Sequence, residues 1–219
     1  EPKPEDKDRC LKWHEKRIGK REKDAKKLGV PLLMSEFGAC MAEDTCVTEV
    51  NQVADVSDEH LAGWAYWQFK VFEDLTTSAG TRSEGFYNFD GSIQVNKVRA
   101  LSRTYVKAAQ GTIEKMKFNT EEENGQPAGT FTADIKVDTT VTAPTEIHTL
   151  LNGTPSAADP EAVISWYPNG VDIEVSDPTA EVSQDGNTVS VLVKDPAMDE
   201  QVITITVTPK AAENIEESS

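Results

Sequence analysis

Gly29-Val30-Pro31-Leu32-Leu33-Met34-Ser35-Glu36-Phe37 is a short apolar run that ends in a lone carboxylate. Its apolar residues are continuous rather than alternating, which predicts a strand over Pro31–Phe37 buried on both faces, as in a parallel sheet. Ahead of it, Cys10–Leu28 is rich in Lys, Arg and Glu, with Leu11, Ile18, Ala25 and Leu28 at helical spacing and Gly29 as the stop. Behind it, Val47–Leu61 repeats apolar residues at helical intervals and Ala62–Phe69 returns to strand. A turn at Asp90-Gly91 then leads to a last helix over Ile93–Ala109, with Val98, Leu101, Tyr105 and Ala109 on one face. The order helix, strand, helix, strand, loop, helix is an α/β signature.

Charge divides the chain. Residues 1–110 hold 18 acidic and 17 basic side chains, whereas residues 111–219 hold 20 and 5, within a total net charge of −16. Two compositions predict two domains, 1–110 and 111–210, with 211–219 as a flexible tail. The acidic half would repel phosphate backbones and anionic lipid surfaces, so nucleic acid is not an expected partner. Apolar residues make up 37% of the 219, and no apolar run approaches the ~20 residues needed to span a bilayer. No segment reads as a signal peptide or anchor.

After Gly111 the pattern changes to short runs of period two. Thr130–Val137, Thr145–Leu151, Ala162–Trp166, Val171–Val175, Thr188–Lys194 and Gln201–Thr208 are candidate strands, broken at Asn152-Gly153, Pro168-Asn169-Gly170, Asp177-Pro178, Asp185-Gly186 and Asp195-Pro196. Six short strands in about 100 residues predict an immunoglobulin-like β-sandwich. Trp166 and Tyr167 are its only adjacent aromatic pair, and core packing of one with exposure of the other is the expected arrangement.

The three cysteines, Cys10, Cys40 and Cys46, are too few for a disulfide framework, and no Cys or His spacing fits a zinc site, so no metal is expected. Cys40 and Cys46 bracket a loop short enough for a disulfide in an oxidising compartment. Cys10 would then be left over, free to pair with something outside these residues. Asn152-Gly153-Thr154 matches the N-glycosylation pattern. Together these predict a secreted protein or one in the lumen of the secretory or lysosomal pathway.

A single Glu at a strand end is ordinarily a solvated carboxylate. Here an apolar strand ends in the acid, and the next strand ends in Tyr66-Trp67, a flat apolar face and a phenolic donor that suit a sugar ring. A retaining glycosidase needs one carboxylate as nucleophile and a second as acid/base, about 5 to 5.5 Å apart. Glu36 is placed for the first role. Such hydrolysis needs no cofactor.

Ser35-Glu36-Phe37-Gly38, then Trp64-Ala65-Tyr66-Trp67-Gln68-Phe69-Lys70, then Glu84-Gly85-Phe86 and Ala100-Leu101-Ser102-Arg103-Thr104-Tyr105, taken in order, resemble the C-terminal third of endoglycoceramidases in glycoside hydrolase family 5. The resemblance covers residues 29–110. It implies the C-terminal portion of a (β/α)8 barrel, its last two strands and their helices, followed by the β-sandwich. It also implies Glu36 as nucleophile, Trp67 as sugar platform, and glycosphingolipids or related glycosides as substrates. Tyr66, Gln68 and Lys70 become candidate substrate contacts, and Val71–Gly80 a candidate lipid-channel loop with transient contact to a membrane surface. An acid/base glutamate after an asparagine, expected on the fourth strand, has no counterpart in this sequence. The chain alone is therefore expected to be incomplete and inactive, its partner the N-terminal barrel portion, linked in one version through Cys10. The alternative is a relative without catalysis that binds or supports an extracellular assembly.

Overall fold

The computed structural model describes residues 4–38, 44–69, 84–88, 90–151 and 162–212. The chain divides into two compact units, the first built mainly from residues up to Arg103 and the second mainly from those after it, with Lys115–Lys117 and Gly153–Ile164 grouped with the first. In the first, a single 3-10 turn at Pro4–Asp6 leads into α1 (Lys7–Leu28), followed by β1 (Leu33–Gly38), α2 (Asp44–Glu59), β2 (Gly63–Trp67) and α3 (Val95–Leu101). Gly29 ends α1 at φ 66°, donating its N–H to the Ala25 and Lys26 carbonyls. This left-handed cap is where glycine carries no Cβ penalty.

β1 and β2 pair in parallel, Leu33 beside Gly63, Met34 beside Trp64, Phe37 beside Tyr66 and Gly38 beside Trp67, with a register shift between Met34 and Phe37. The expectation of burial on both faces is not met. Leu33, Ser35, Glu36 and Gly38 are exposed on β1, as are Gly63, Ala65 and Trp67 on β2, while Met34, Phe37, Trp64 and Tyr66 are half-buried. The covered face packs on the helices: Cys46, Val50 and Ala100 form a cluster that Phe37, Val47, Tyr66 and Leu101 close over. Among the described residues β1 and β2 pair only with each other, and Leu33, Ser35, Glu36, Ala65 and Trp67 are exposed.

The helix predicted over Ile93–Ala109 stops at Leu101. The Ser102 hydroxyl donates to the Val98 carbonyl at 2.7 Å, competing with the helical ladder, and Tyr105–Ala108 becomes β3 of the second unit. There β4 (Gly111–Phe118), β5 (Phe131–Val137), β6 (Thr145–His148), β7 (Val171–Val175), β8 (Glu181–Asp185), β9 (Thr188–Leu192) and β10 (Val202–Pro209) follow. They make two four-stranded sheets, ordered β4-β5-β10-β7 and β3-β6-β9-β8. β5 buries every second residue from Phe131 to Val137, and Ile203, Ile205 and Val207 of β10 do the same beside it. Ile147, Val189 and Val191 are the buried counterparts in the other sheet.

Ala162–Trp166 is not a strand. The Ser165 hydroxyl donates to the Leu150 carbonyl (2.5 Å) and accepts from the Tyr167 N–H (2.8 Å). Trp166 and Tyr167 are both buried, so neither offers an exposed face to a glycan. Tyr167 Oη lies 2.5 Å from Thr104 Oγ1 and donates to the Gly129 carbonyl at 2.9 Å. Buried Gln110 links the strand connections, its amide donating to the Val141 and Val193 carbonyls and accepting from the Val193 N–H.

Candidate active site

Side chains alternate across a strand, so the residues next to Phe37 and Tyr66 point to the opposite face. Phe37 meets the rings of Trp64 and Tyr66 edge to face, both at 5.6 Å, and all three lie on the helix side. Glu36 and Trp67 are thereby assigned to the open side, at the C-terminal ends of adjacent parallel strands. Both are exposed, Trp67 by 37%. The register shift between Met34 and Phe37 spans Ser35 and Glu36, both of which are exposed. Gly38, at φ 126°, lets the two strand ends close up: a Cβ there would lie 2.5 Å from the Trp67 carbonyl oxygen and 2.5 Å from the Tyr66 ring.

Tyr66 belongs to the support rather than the open face. Its hydroxyl donates to the Glu84 carbonyl at 3.1 Å, and burial, with the Glu84 charge adding to it, pushes the phenol up to about 12. Gln68, the residue just beyond β2, is also buried, at 6% exposure. Its N–H donates to the Glu84 carbonyl at 3.4 Å, and its Nε2 has no partner among the described residues. The Trp67–Gln68 peptide is cis.

Residues 84–88 brace the end of β2. The Phe86 N–H donates to the Phe69 carbonyl (3.1 Å) and the Gln94 N–H to the Phe86 carbonyl (2.7 Å). The Phe86 ring meets those of Tyr66 and Phe69 at 5.9 and 5.3 Å. Beneath them Lys97 of α3 is buried and donates from Nζ to the Gly85 carbonyl at 3.3 Å. Burial lowers its ammonium to about 8, against the pull of the Glu84 carboxylate, which raises it. Arg103 is buried as well, its Nε and Nη2 donating to Asp58 Oδ2 at 3.2 and 2.9 Å and Nη2 to Asp55 Oδ1 at 2.5 Å. Sequence reasoning assigned no role to Lys97 or Arg103; the signal was a cation inside a quoted motif or beside an apolar helix face.

Lys70, Cys40 and Asn152, with Val71–Gly80, lie outside the described residues. Cys46 is disulfide-bonded and Cys10 is free. No group of three or more His, Cys, Asp or Glu among the described residues could hold a metal ion. No helix among them is long and apolar enough to cross a membrane.

Endo-glycoceramidase II from a Rhodococcus species, solved as a lactosyl-enzyme intermediate, matches this fold with a TM-score of 0.56 at 26% identity, over 86% of this chain and 35% of its own. Over most of its length the chain is similar to that enzyme. The same enzyme in complex with ganglioside GM3 matches at 0.52 and 26% identity, over 83% of this chain and 32% of that one. Sterylglucosidase 1 from Cryptococcus neoformans gives 0.69 over 94% of this chain and 33% of its own, at 17% identity, a likeness of fold alone. The chain thus spans about a third of the length of these solved enzymes. These neighbours are glycoside hydrolases acting on glycolipids. No family model and no curated protein matches the sequence.

Proposed function

We propose that this chain is the nucleophile-bearing part of a retaining glycoside hydrolase that acts on glycosphingolipids or related glycosides. The observation that carries the reading is the sharing of one open sheet face by Glu36 and Trp67, at the C-terminal ends of two parallel strands whose other face packs on helices. That is where a (β/α) barrel keeps its chemistry.

In this reading β1 and β2 are two strands of such a barrel and the two four-stranded sheets form the attached sandwich. The remaining barrel strands, from outside these 219 residues, would pair with β1 and β2 and cover the exposed Leu33. They would also bring the acid/base carboxylate within about 5 to 5.5 Å of Glu36. Glu36 attacks the anomeric carbon while the acid protonates the departing oxygen; the same group then deprotonates the water that releases the glycan. The Trp67 indole holds the sugar against this face. The Cys46 disulfide supports an oxidising, secretory setting.

The test is Glu36→Gln in the complete protein, assayed on a fluorogenic lactoside and on a glycosphingolipid, with peptide mapping after a 2-deoxy-2-fluoro glycoside. Loss of turnover by several orders of magnitude with unchanged melting, and a glycosyl adduct on the peptide carrying Glu36, are expected. Retained turnover, or an adduct elsewhere, would sink the assignment.

A further inference from the structure

Helix α1 differs in charge from the rest of the molecule. Lys7–Leu28 holds ten Lys or Arg against four Asp or Glu, net +6 in a chain of net −16. Its inner side buries His14, Ile18 and Gly19. The opposite side repeats cations at steps of three and four, Arg9, Lys12, Lys16, Lys20, Lys23 and Lys27, all exposed. The described ion pairs of the helix use Arg9, Arg21 and Lys26, together with His14 to Glu49 and Glu22 to His60; among the described residues Lys12, Lys16, Lys20, Lys23 and Lys27 make none. Like charges at these spacings repel, so the stripe costs the free protein stability that an anionic partner would return.

Trp13 stands in the same stripe, 53% exposed, with the Arg17 guanidinium 4.6 Å from its ring centroid. An indole among cations is suited to the layer between lipid headgroups and hydrocarbon, where Trp concentrates and basic helices settle. Nucleic acid supplies negative charge without that layer. From this juxtaposition we infer that the outer face of α1 docks the protein on an anionic lipid bilayer surface.

The position of the face fits the chemistry. His14 Nε2 and Glu49 Oε1 lie 2.7 Å apart, and Glu49 is in the second turn of α2, which follows the β1 end bearing Glu36. Arg9, Lys12, Trp13 and Lys16 therefore lie toward the catalytic end of the first unit. The benefit to catalysis rests on the proposed glycolipid cleavage; the docking itself does not.

Vesicle flotation of the complete protein tests it, using phosphatidylcholine alone and phosphatidylcholine with phosphatidylserine. Binding is expected only with phosphatidylserine and should fall with salt. Each neutralised lysine weakens partition roughly fivefold, so Lys12→Glu/Lys16→Glu/Lys20→Glu/Lys23→Glu should abolish flotation while leaving hydrolysis of a soluble glycoside unchanged. Trp13→Ala should weaken binding yet keep its salt dependence. If the quadruple variant melts early, the single Lys→Gln variants carry the same graded expectation. Absence of parent binding to phosphatidylserine vesicles, undiminished binding by the variants, or preferential binding to a DNA duplex would overturn the inference. Glu36→Gln should float like the parent, which separates failure of the docking from failure of the glycosidase reading.

Discussion

Gly38 approaches Trp67 so closely that a single added methyl would stand 2.5 Å from the Trp67 carbonyl oxygen. The contact joins the ends of the two strands that carry Glu36 and Trp67, so the spacing of the two residues depends on a missing side chain. Gly38→Ala must also adopt φ 126°, at a cost of about 1–3 kcal/mol for the backbone alone. We expect a lowered melting temperature and a loss of kcat/KM larger than the stability change explains. Wild-type kcat/KM in a folded Gly38→Ala protein would show that the spacing is not critical.

Trp67→Ala should reveal the platform. Removing the indole is expected to lower kcat/KM on a glycoside by roughly five- to tenfold, the equivalent of about 1 kcal/mol of ring contact, with Trp67→Phe recovering most of it. Since Trp67 is partly exposed, its removal should leave urea stability within about 0.5 kcal/mol. Steady-state kinetics beside denaturation curves would separate the two effects, and a large stability loss with intact kinetics would make Trp67 a packing residue.

Legibility followed chemistry that is local. The Gly29 stop, the alternation of Phe131–Val137 and the Asp185-Gly186 break are written in neighbouring residues, and the structure places a helix end, a half-buried strand and a hairpin turn there. β8 was illegible because all five of its residues, Glu181–Asp185, are exposed, leaving no apolar period to read. The apolar spacing of Val98, Leu101 and Tyr105 continued past Ser102 and concealed a switch from helix to strand. At the site, the end of an apolar run marked Glu36, but the burial of Gln68 and the bracing of Tyr66 by Glu84 depend on segments distant in sequence. Buried Lys97 and Arg103 look like surface charges to any hydropathy reading.

Arg103 and Asp58 give the first unit a pH signature. Burial, working against Arg103, raises the Asp58 carboxyl from 3.8 to about 6. A raised folded-state value means that Asp58's contribution to stability is fully present below pH ~4 and is lost as pH rises through about 6. Arg103→Met removes the attraction that holds the value down and leaves a buried carboxylate alone, a loss of about 3–5 kcal/mol at pH 7.5. At pH 5 the carboxyl takes up a proton and the loss should shrink markedly. Urea denaturation of parent and variant at both pH values checks this; an equal loss at both would mean that Asp58 does not titrate in this window.

In the second unit, Tyr167 connects Thr104, at the entry to β3, with the Gly129 carbonyl ahead of β5, at 2.5 and 2.9 Å. The two contacts lie just ahead of strands of different sheets, so one buried phenol ties the entries to both. Burial holds its pKa far above the ordinary tyrosine value, although the bond to Thr104 lowers it, so the hydroxyl stays protonated and keeps its proton for donation. Tyr167→Phe retains the ring and strands the Gly129 carbonyl and the Thr104 hydroxyl in the core, costing about 1–3 kcal/mol. Tyr167→Phe/Thr104→Val should cost less than the sum of the two single changes, because the second removes a group the first left unpaired. Strict additivity in a double-mutant cycle would mean that the two hydroxyls do not interact.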